Sequence, residues 1–212
     1  MKLFFRYFIL LVLLGFSFHS YATTITHIKM MDKIRGRAVP VVTYEGNKQT
    51  DLPVVIINHG YRVKNTKYSF IANTLADQGY FVISIQHDLK GDAPLPMDGN
   101  IFEKRKPFWE RGVKNILFVM NELKKERPHL NFDQVILIGH SNGGDISMMF
   151  TDKYPDKVSK VISLDSCWYP FPADKGVPIL HFGANDTKPD PGVIPDKGVK
   201  NIMIEGAKHM DF

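Results

Sequence analysis

Gln134-Val-Ile-Leu-Ile-Gly-His-Ser-Asn-Gly-Gly-Asp-Ile-Ser-Met-Met-Phe150 is the stretch that decides the fold. Val135 to Ile138 is an aliphatic run without alternation, the pattern of a parallel strand buried on both faces. Ile146 to Phe150 starts a second apolar pattern that suits a helix. Between them, Gly139-His140-Ser141-Asn142-Gly143 turns the chain from strand to helix within a few residues. A reversal that tight strains its central residue, and side chains two positions either way would collide with neighbouring backbone. Glycines at both flanks remove the collision and leave Ser141 Oγ exposed at a helix N-terminus. There the free N–H groups and the helix dipole favour developing negative charge. The composition is that of a nucleophile elbow rather than of an ordinary Gly-rich turn.

Working outward, Leu52 to Ile57 and Tyr80 to Ile85 are two more continuous apolar runs, hence central strands. Tyr68 to Gln78 between them has a helical period and stops at Gly79, a residue suited to the position after a helix end. Thr24 to Met30 and Val39 to Tyr44 read as an antiparallel hairpin at the sheet edge. After a Gly- and Pro-rich loop from Lys90 to Asn100, Phe108 to Glu126 carries a long amphipathic pattern closed by Pro128. The helix after the elbow runs to Tyr154, where Pro155 forbids continuation. Val158 to Leu164, Val177 to Phe182 and Asn201 to Ile204 are the last strands. Strands alternating with helices after an antiparallel start specify an α/β, mostly parallel, doubly wound sheet covered on both faces.

Met1 to Ala22 reads as a bacterial-type export signal: Lys2 and Arg6, an apolar run from Phe8 to Phe18, then small residues at Ser20-Tyr21-Ala22. The run is short for a bilayer span, so a cleaved signal and a secreted or periplasmic domain over 23–212 are expected, with an uncleaved anchor as the alternative. The formal charge of +5 becomes +3 once Lys2 and Arg6 leave (5 − 2). The basic residues are scattered and do not interleave with aromatics along one face, so no nucleic-acid partner is expected. The single Cys167 excludes an intrachain disulfide. No Cys/His/carboxylate group has metal-site spacing, and no Gly-rich loop has a dinucleotide or P-loop fingerprint, so neither metal nor cofactor is expected.

A serine hydroxyl near neutral pH needs a base, an acid that orients the base, and an oxyanion site. In a parallel sheet such groups gather beyond the carboxyl ends of the strands. His209 follows the last strand and is the expected base; His59 and His87 precede the elbow, and His181 lies inside a strand. Only three residues follow His209, so its loop needs Phe212 packed down to be ordered. Two aspartates compete as the acid: Asp186 after the seventh strand, slightly favoured, and Asp165 after the sixth. The N–H groups of Tyr61 and Asn142 are the expected oxyanion donors, with His59 shaping the loop. Lys90–Trp109 and Cys167–Val177 should roof an open site, with Phe108, Trp109 and Trp168 as substrate-contacting aromatics and Phe102 and Phe171 nearby.

Over essentially the whole mature chain these residues resemble the α/β-hydrolase superfamily, without an insertion large enough for a full cap domain. Val55-Ile-Ile-Asn-His-Gly60, Leu75-Ala-Asp-Gln-Gly-Tyr80, Gly139-His-Ser-Asn-Gly-Gly144 and Leu164-Asp-Ser-Cys-Trp-Tyr-Pro170 look like the platelet-activating-factor acetylhydrolase and dienelactone-hydrolase-like branches. The acetylhydrolase resemblance places the acid at Asp165; the dienelactone-hydrolase-like resemblance places it at Asp186. The implied activity is hydrolysis of a small-molecule or lipid ester by a Ser-His-Asp triad. The other readings are a thioesterase or peptidase on the same machinery, or a binding protein that keeps the fold without the chemistry.

Overall fold

A computed structural model of the chain describes residues 23–46 and 52–212; the expected export segment, 1–22, lies outside the described residues. Eight strands, β1 (Thr24–Asp32), β2 (Arg37–Glu45), β3 (Pro53–Asn58), β4 (Phe81–Ile85), β5 (Asn131–His140), β6 (Val158–Leu164), β7 (Ile179–Gly183) and β8 (Val199–Met203), form one sheet. Their order is β1-β2-β4-β3-β5-β6-β7-β8. β1 pairs antiparallel with β2 and β2 with β4, while every pair from β4 through β3, β5, β6 and β7 to β8 is parallel. This is the expected α/β-hydrolase architecture with an antiparallel N-terminal edge and no large cap.

The continuous apolar runs have a direct cause. Successive strand residues point to opposite faces, and both faces are covered. Val54 and Ile56 of β3 join Leu137, Phe81 and Ile83 on one side, under the helices α2 (Ile101–Glu126) and α3 (Asn142–Lys153). Val55 and Ile57 join Val82 and Ile138 on the other, under α1 (Ser69–Asp77). α1 ends as its sequence demands: Gly79 takes φ +87, its N–H bonds Ala76 O at 2.9 Å, and Tyr80 N–H bonds Leu75 O at 3.0 Å. That pair of reversed bonds satisfies the last helical carbonyls.

α2 differs from its expected extent, beginning at Ile101 rather than Phe108. The Asn100 side chain accepts the Glu103 N–H at 3.2 Å and caps the earlier start. Pro107 sits inside the helix, where its missing N–H deprives only the exposed Glu103 of an i+4 donor. The early start brings Arg105 onto the helix, and that matters at the site. No helix among the described residues is long and apolar enough to cross a membrane.

Candidate active site

The parallel register aligns the strand ends. Asn58 of β3 lies beside Gly139 of β5, His140 beside Leu164 of β6, and Leu164 beside Phe182 of β7. Ser141 then takes φ 51 and ψ −124, a conformation non-glycine residues rarely hold. Its N–H is fixed to Leu164 O at 2.9 Å, and its carbonyl receives Gly144 N–H at 2.8 Å and Asp145 N–H at 3.1 Å. The flanking glycines are obligatory for space. A Cβ on Gly139 would stand 2.4 Å from Gly143 O, and one on Gly143 would stand 2.1 Å from Asn58 O.

His209 meets Ser141 from the loop after β8. Its Nε2 lies 3.0 Å from Ser141 Oγ, and its Nδ1 lies 2.5 Å from Asp165 Oδ2. Asp165 also accepts Ala184 N–H on Oδ1 at 2.8 Å and the Thr187 hydroxyl on Oδ2. Burial alone would raise this carboxyl, but the bonds from His209, Ala184 and Thr187 outweigh it and bring it down to about 2. An ionised carboxylate only accepts, so the ring proton sits on Nδ1 and the Nε2 lone pair faces the serine hydroxyl.

The preference for Asp186 is corrected by this geometry: Asp186 does not reach the ring. Asn185 N–H pairs with Ala207 O at 2.9 Å, which holds the segment against the backbone of the His209 loop. Asp186 Oδ1 there accepts the His209 backbone N–H at 2.7 Å. Asp165, turned at φ 50 at the end of β6, projects under the ring instead. Both aspartates hold His209, one by its imidazole and one by its main chain.

A third residue holds the same loop. His140, the second residue of the G-x-S-x-G, is buried. Its Nδ1 lies 2.6 Å from Tyr68 Oη, and its Nε2 2.8 Å from His209 O. Burial, the largest influence, pushes it down to about 4, so the ring is neutral near physiological pH. A carbonyl can only accept, so Nε2 carries the proton and Nδ1 accepts from the Tyr68 hydroxyl. Phe212 packs against the α1-side core and lies 6.4 Å from the His140 ring centre. The packing that the His209 loop needs is therefore present.

Opposite His209, the Gly60–Tyr61 peptide is held by His59. His59 Nδ1 lies 2.7 Å from Gly60 O and must be the donor, since a carbonyl accepts. The His59 Nε2 then accepts His87 N–H at 2.8 Å and the Gln86 amide at 3.0 Å. In a trans peptide the C=O and N–H point in opposite directions, so pinning Gly60 O directs the Tyr61 N–H the other way. Asn142 is the first residue of α3, where the N–H has no acceptor within the helix. Both residues line the same cavity as Ser141.

That cavity has a volume of about 400 Å³. Leu95, Met97 and Arg105 wall it from the loop before α2 and from α2 itself, and Cys167 and Trp168 from the segment after β6. Trp168 is placed as expected, but Phe108 and Trp109 are not among its lining residues. Trp109 is fully buried, and its indole N–H donates to Asn142 Oδ1 at 2.9 Å. A buried indole needs a polar partner, and here that partner is the side chain of the elbow residue. Phe108 packs instead under the Arg111 guanidinium at 5.2 Å. Phe102 and Phe171 line a separate cleft with Tyr169. Burial pushes the Cys167 thiol up to about 12, so the sulfur lines the cavity as a neutral thiol. Among the described residues no three His, Cys, Asp or Glu side chains cluster closely enough to hold a metal.

The family model for the alpha/beta hydrolase fold matches residues 53–184, more than half of the chain. The chain belongs to the alpha/beta hydrolase fold family. The match contains Ser141 and Asp165 and stops short of His209. Two curated relatives are a "probable 1-alkyl-2-acetylglycerophosphocholine esterase" of Arthroderma benhamiae, 27% identical, and the platelet-activating factor acetylhydrolase of Cavia porcellus, 26% identical. Each alignment covers 76% of this chain and 48% of the relative. The chain thus spans about half the length of the curated relatives it matches. Among solved structures, a dienelactone hydrolase-like promiscuous phosphotriesterase from metagenomic libraries superposes with a TM-score of 0.65 at 13% identity, over 86% of this chain and 82% of that one. A CIB-like hydrolase from Thermoplasma acidophilum gives 0.61 at 16%, over 88% and 89%. These two likenesses concern the fold.

For a member of the alpha/beta hydrolase fold family, what sequence reading missed at the site is the support around the reacting groups. Thr187, His140 and Trp109 each bond a residue at the site from a distant part of the chain. The one local signal was the Gly-His-Ser order itself, which puts a polarisable ring beside the serine. Its partner, the His209 carbonyl, is 69 residues away in sequence.

Proposed function

We propose that this chain is an exported serine hydrolase that cleaves carboxylic esters through an acyl-enzyme. The observation that carries the reading is the continuous path from Ser141 Oγ through His209 Nε2 (3.0 Å) and Nδ1 to Asp165 (2.5 Å), with no other group interposed. The names of the two curated relatives, a probable 1-alkyl-2-acetylglycerophosphocholine esterase and a platelet-activating factor acetylhydrolase, support the ester class. Export rests on residues 1–22 alone.

In this mechanism His209 Nε2 takes the Ser141 proton as Oγ attacks the ester carbonyl, and Asp165 stabilises the imidazolium that forms. The oxyanion meets the Tyr61 and Asn142 N–H groups; two such fixed donors contribute roughly 3 kcal/mol each to the barrier reduction. The imidazolium protonates the departing alkoxide. Water then enters, gives a proton to His209 and releases the acid from Ser141.

The test is turnover of short p-nitrophenyl esters by the mature protein and by Ser141→Ala, with a fluorophosphonate probe on both. Labelling and turnover lost together in Ser141→Ala are the expected result. Equal, buffer-level rates and no labelling of the parent protein would make the chain a binding protein on this fold.

A further inference from the structure

The cavity beside Ser141 carries charge of one sign. Arg105 and Lys188 line it, and no Asp or Glu does. Lys188 is exposed at the rim, but Arg105 is only 4% exposed, unusual for a guanidinium unless it is paired. Its partners are neutral: Nε–H donates to Pro96 O at 2.8 Å, and an Nη2–H reaches Met97 Sδ at 3.2 Å. The guanidinium carbon stands 5.0 Å from the centre of the Trp168 ring. Arg105 forms no ion pair among the described residues. The acid whose field reaches it is Asp145. Asp145 Oδ1 accepts the N–H groups of Trp168 and Tyr169, at 3.1 and 3.0 Å, its Oδ2 has no hydrogen-bond partner, and neither oxygen pairs with the guanidinium.

A cation taken out of water costs several kcal/mol unless an anion faces it. Here the side chain is clamped at Nε and Nη2 and stacked on an indole, so its plane is fixed before anything binds. It lies in the wall of the cavity that holds the serine, and no carboxylate among the described residues is hydrogen-bonded to it. Such a fork is preorganised for an oxyanion with two oxygens to offer.

From this arrangement we propose that the cavity takes esters that carry their own anionic group, a carboxylate or a phosphate, and that Arg105 binds this group with Lys188 assisting at the rim. The assignment rests on the esterase reading of the site and narrows it to compact anionic esters.

Two matched pairs test it: 4-nitrophenyl hydrogen glutarate against 4-nitrophenyl valerate, and 2-acetoxyethyl phosphate against its dimethyl triester. The parent protein should favour an anionic member by about tenfold or more in kcat/KM, and the pair showing the preference tells carboxylate from phosphate. Arg105→Met should cut that ratio by a similar factor, and Arg105→Lys, which keeps charge and loses the fork, should fall between. If Arg105→Met does not fold, Lys188→Gln supplies the second reading, with a ratio lowered by about threefold. Neutral esters turned over as well as their anionic partners would overturn the proposal while leaving the esterase intact. Failure of the esterase reading shows differently, as no turnover and no fluorophosphonate labelling. The anion site is then judged by calorimetry with glutarate and inorganic phosphate: binding lost in Arg105→Met supports it, and no binding overturns it.

Discussion

Ser141 and His209 stand 3.0 Å apart but are held by opposite kinds of structure. Ser141 joins β5, a central strand paired on both sides, to α3, of which ten residues are buried. A Cβ on either neighbour, Gly139 or Gly143, would collide with backbone atoms. His209 follows β8, which among the described residues pairs only with β7 and is largely exposed. It is held by polar bonds: Asp186 on its N–H, Asp165 on its ring and His140 on its carbonyl. The proposed nucleophile is therefore fixed by packing and the proposed base by hydrogen bonds. Perturbing the first should unfold the protein, and perturbing the second should slow it.

The largest effect should come from the base side. Asp165→Asn removes the acceptor that keeps the ring proton on Nδ1, and kcat on a p-nitrophenyl ester should fall by roughly 10⁴-fold. Asp186→Asn only weakens a bond to the His209 main chain, and its loss should stay within about tenfold. Both variants should melt near the parent temperature. A reversal of the two rates would return the ring to Asp186 and break the contrast at its centre. On the elbow side the expected readout changes. Gly143→Ala places a methyl 2.1 Å from the Asn58 carbonyl, where neither backbone can yield, and should destabilise the fold by about 4 kcal/mol in urea denaturation. A loss below about 1 kcal/mol would show that the elbow is not rigid.

The same contrast explains what could be read from the chain. The elbow, the strands and the stop at Gly79 are local patterns, and their physics is complete within a dozen residues. The mostly parallel sheet with an antiparallel start followed from strands alternating with helices after a hairpin. The acid did not follow. Asp165 and Asp186 each trail a strand, and the choice depends on the φ of Asp165 and on the pairing of Asn185 with Ala207, neither visible in composition. Trp109 was misplaced for a related reason. Starting the helix at Phe108 hid the turn beginning at Asn100, and with it both the burial of Trp109 and the inward position of Arg105.

A third comparison is carried by pH. Asp145, fully enclosed beneath the elbow, has its carboxyl raised to about 7 by burial, which the Tyr169 and Trp168 N–H bonds only partly oppose. In the unfolded chain an aspartate titrates near 3.9. Between about pH 4 and 7 the folded state thus keeps a proton that the unfolded state has lost, so stability contributed by this group falls as pH rises through that window. Asp145→Asn keeps an acceptor for Trp168 and Tyr169 and removes the titration. Relative to that variant, the parent should lose roughly 2 kcal/mol or more between pH 5 and pH 8 in denaturant titrations. A constant difference would mean that Asp145 is ionised throughout.

The smallest expected effect is the sharpest test of how the base is held. Tyr68 gives its hydroxyl proton to His140 Nδ1 at 2.6 Å, and this leaves the His140 proton on Nε2, aimed at His209 O at 2.8 Å. Tyr68→Phe keeps the ring that fills the α1-side core and deletes only the donor. His140 is then free to carry its proton on Nδ1, which would set the Nε2 lone pair against the His209 carbonyl. The direct cost is one buried hydrogen bond, about 1 kcal/mol. The informative readout is local. Amide exchange over His209–Asp211 should accelerate while exchange along β5 and α3 stays at the parent rate, and kcat should fall by about tenfold or less. Faster exchange at both places would mean that the loop and the elbow open together, and that the base is secured by the same packed core as the nucleophile.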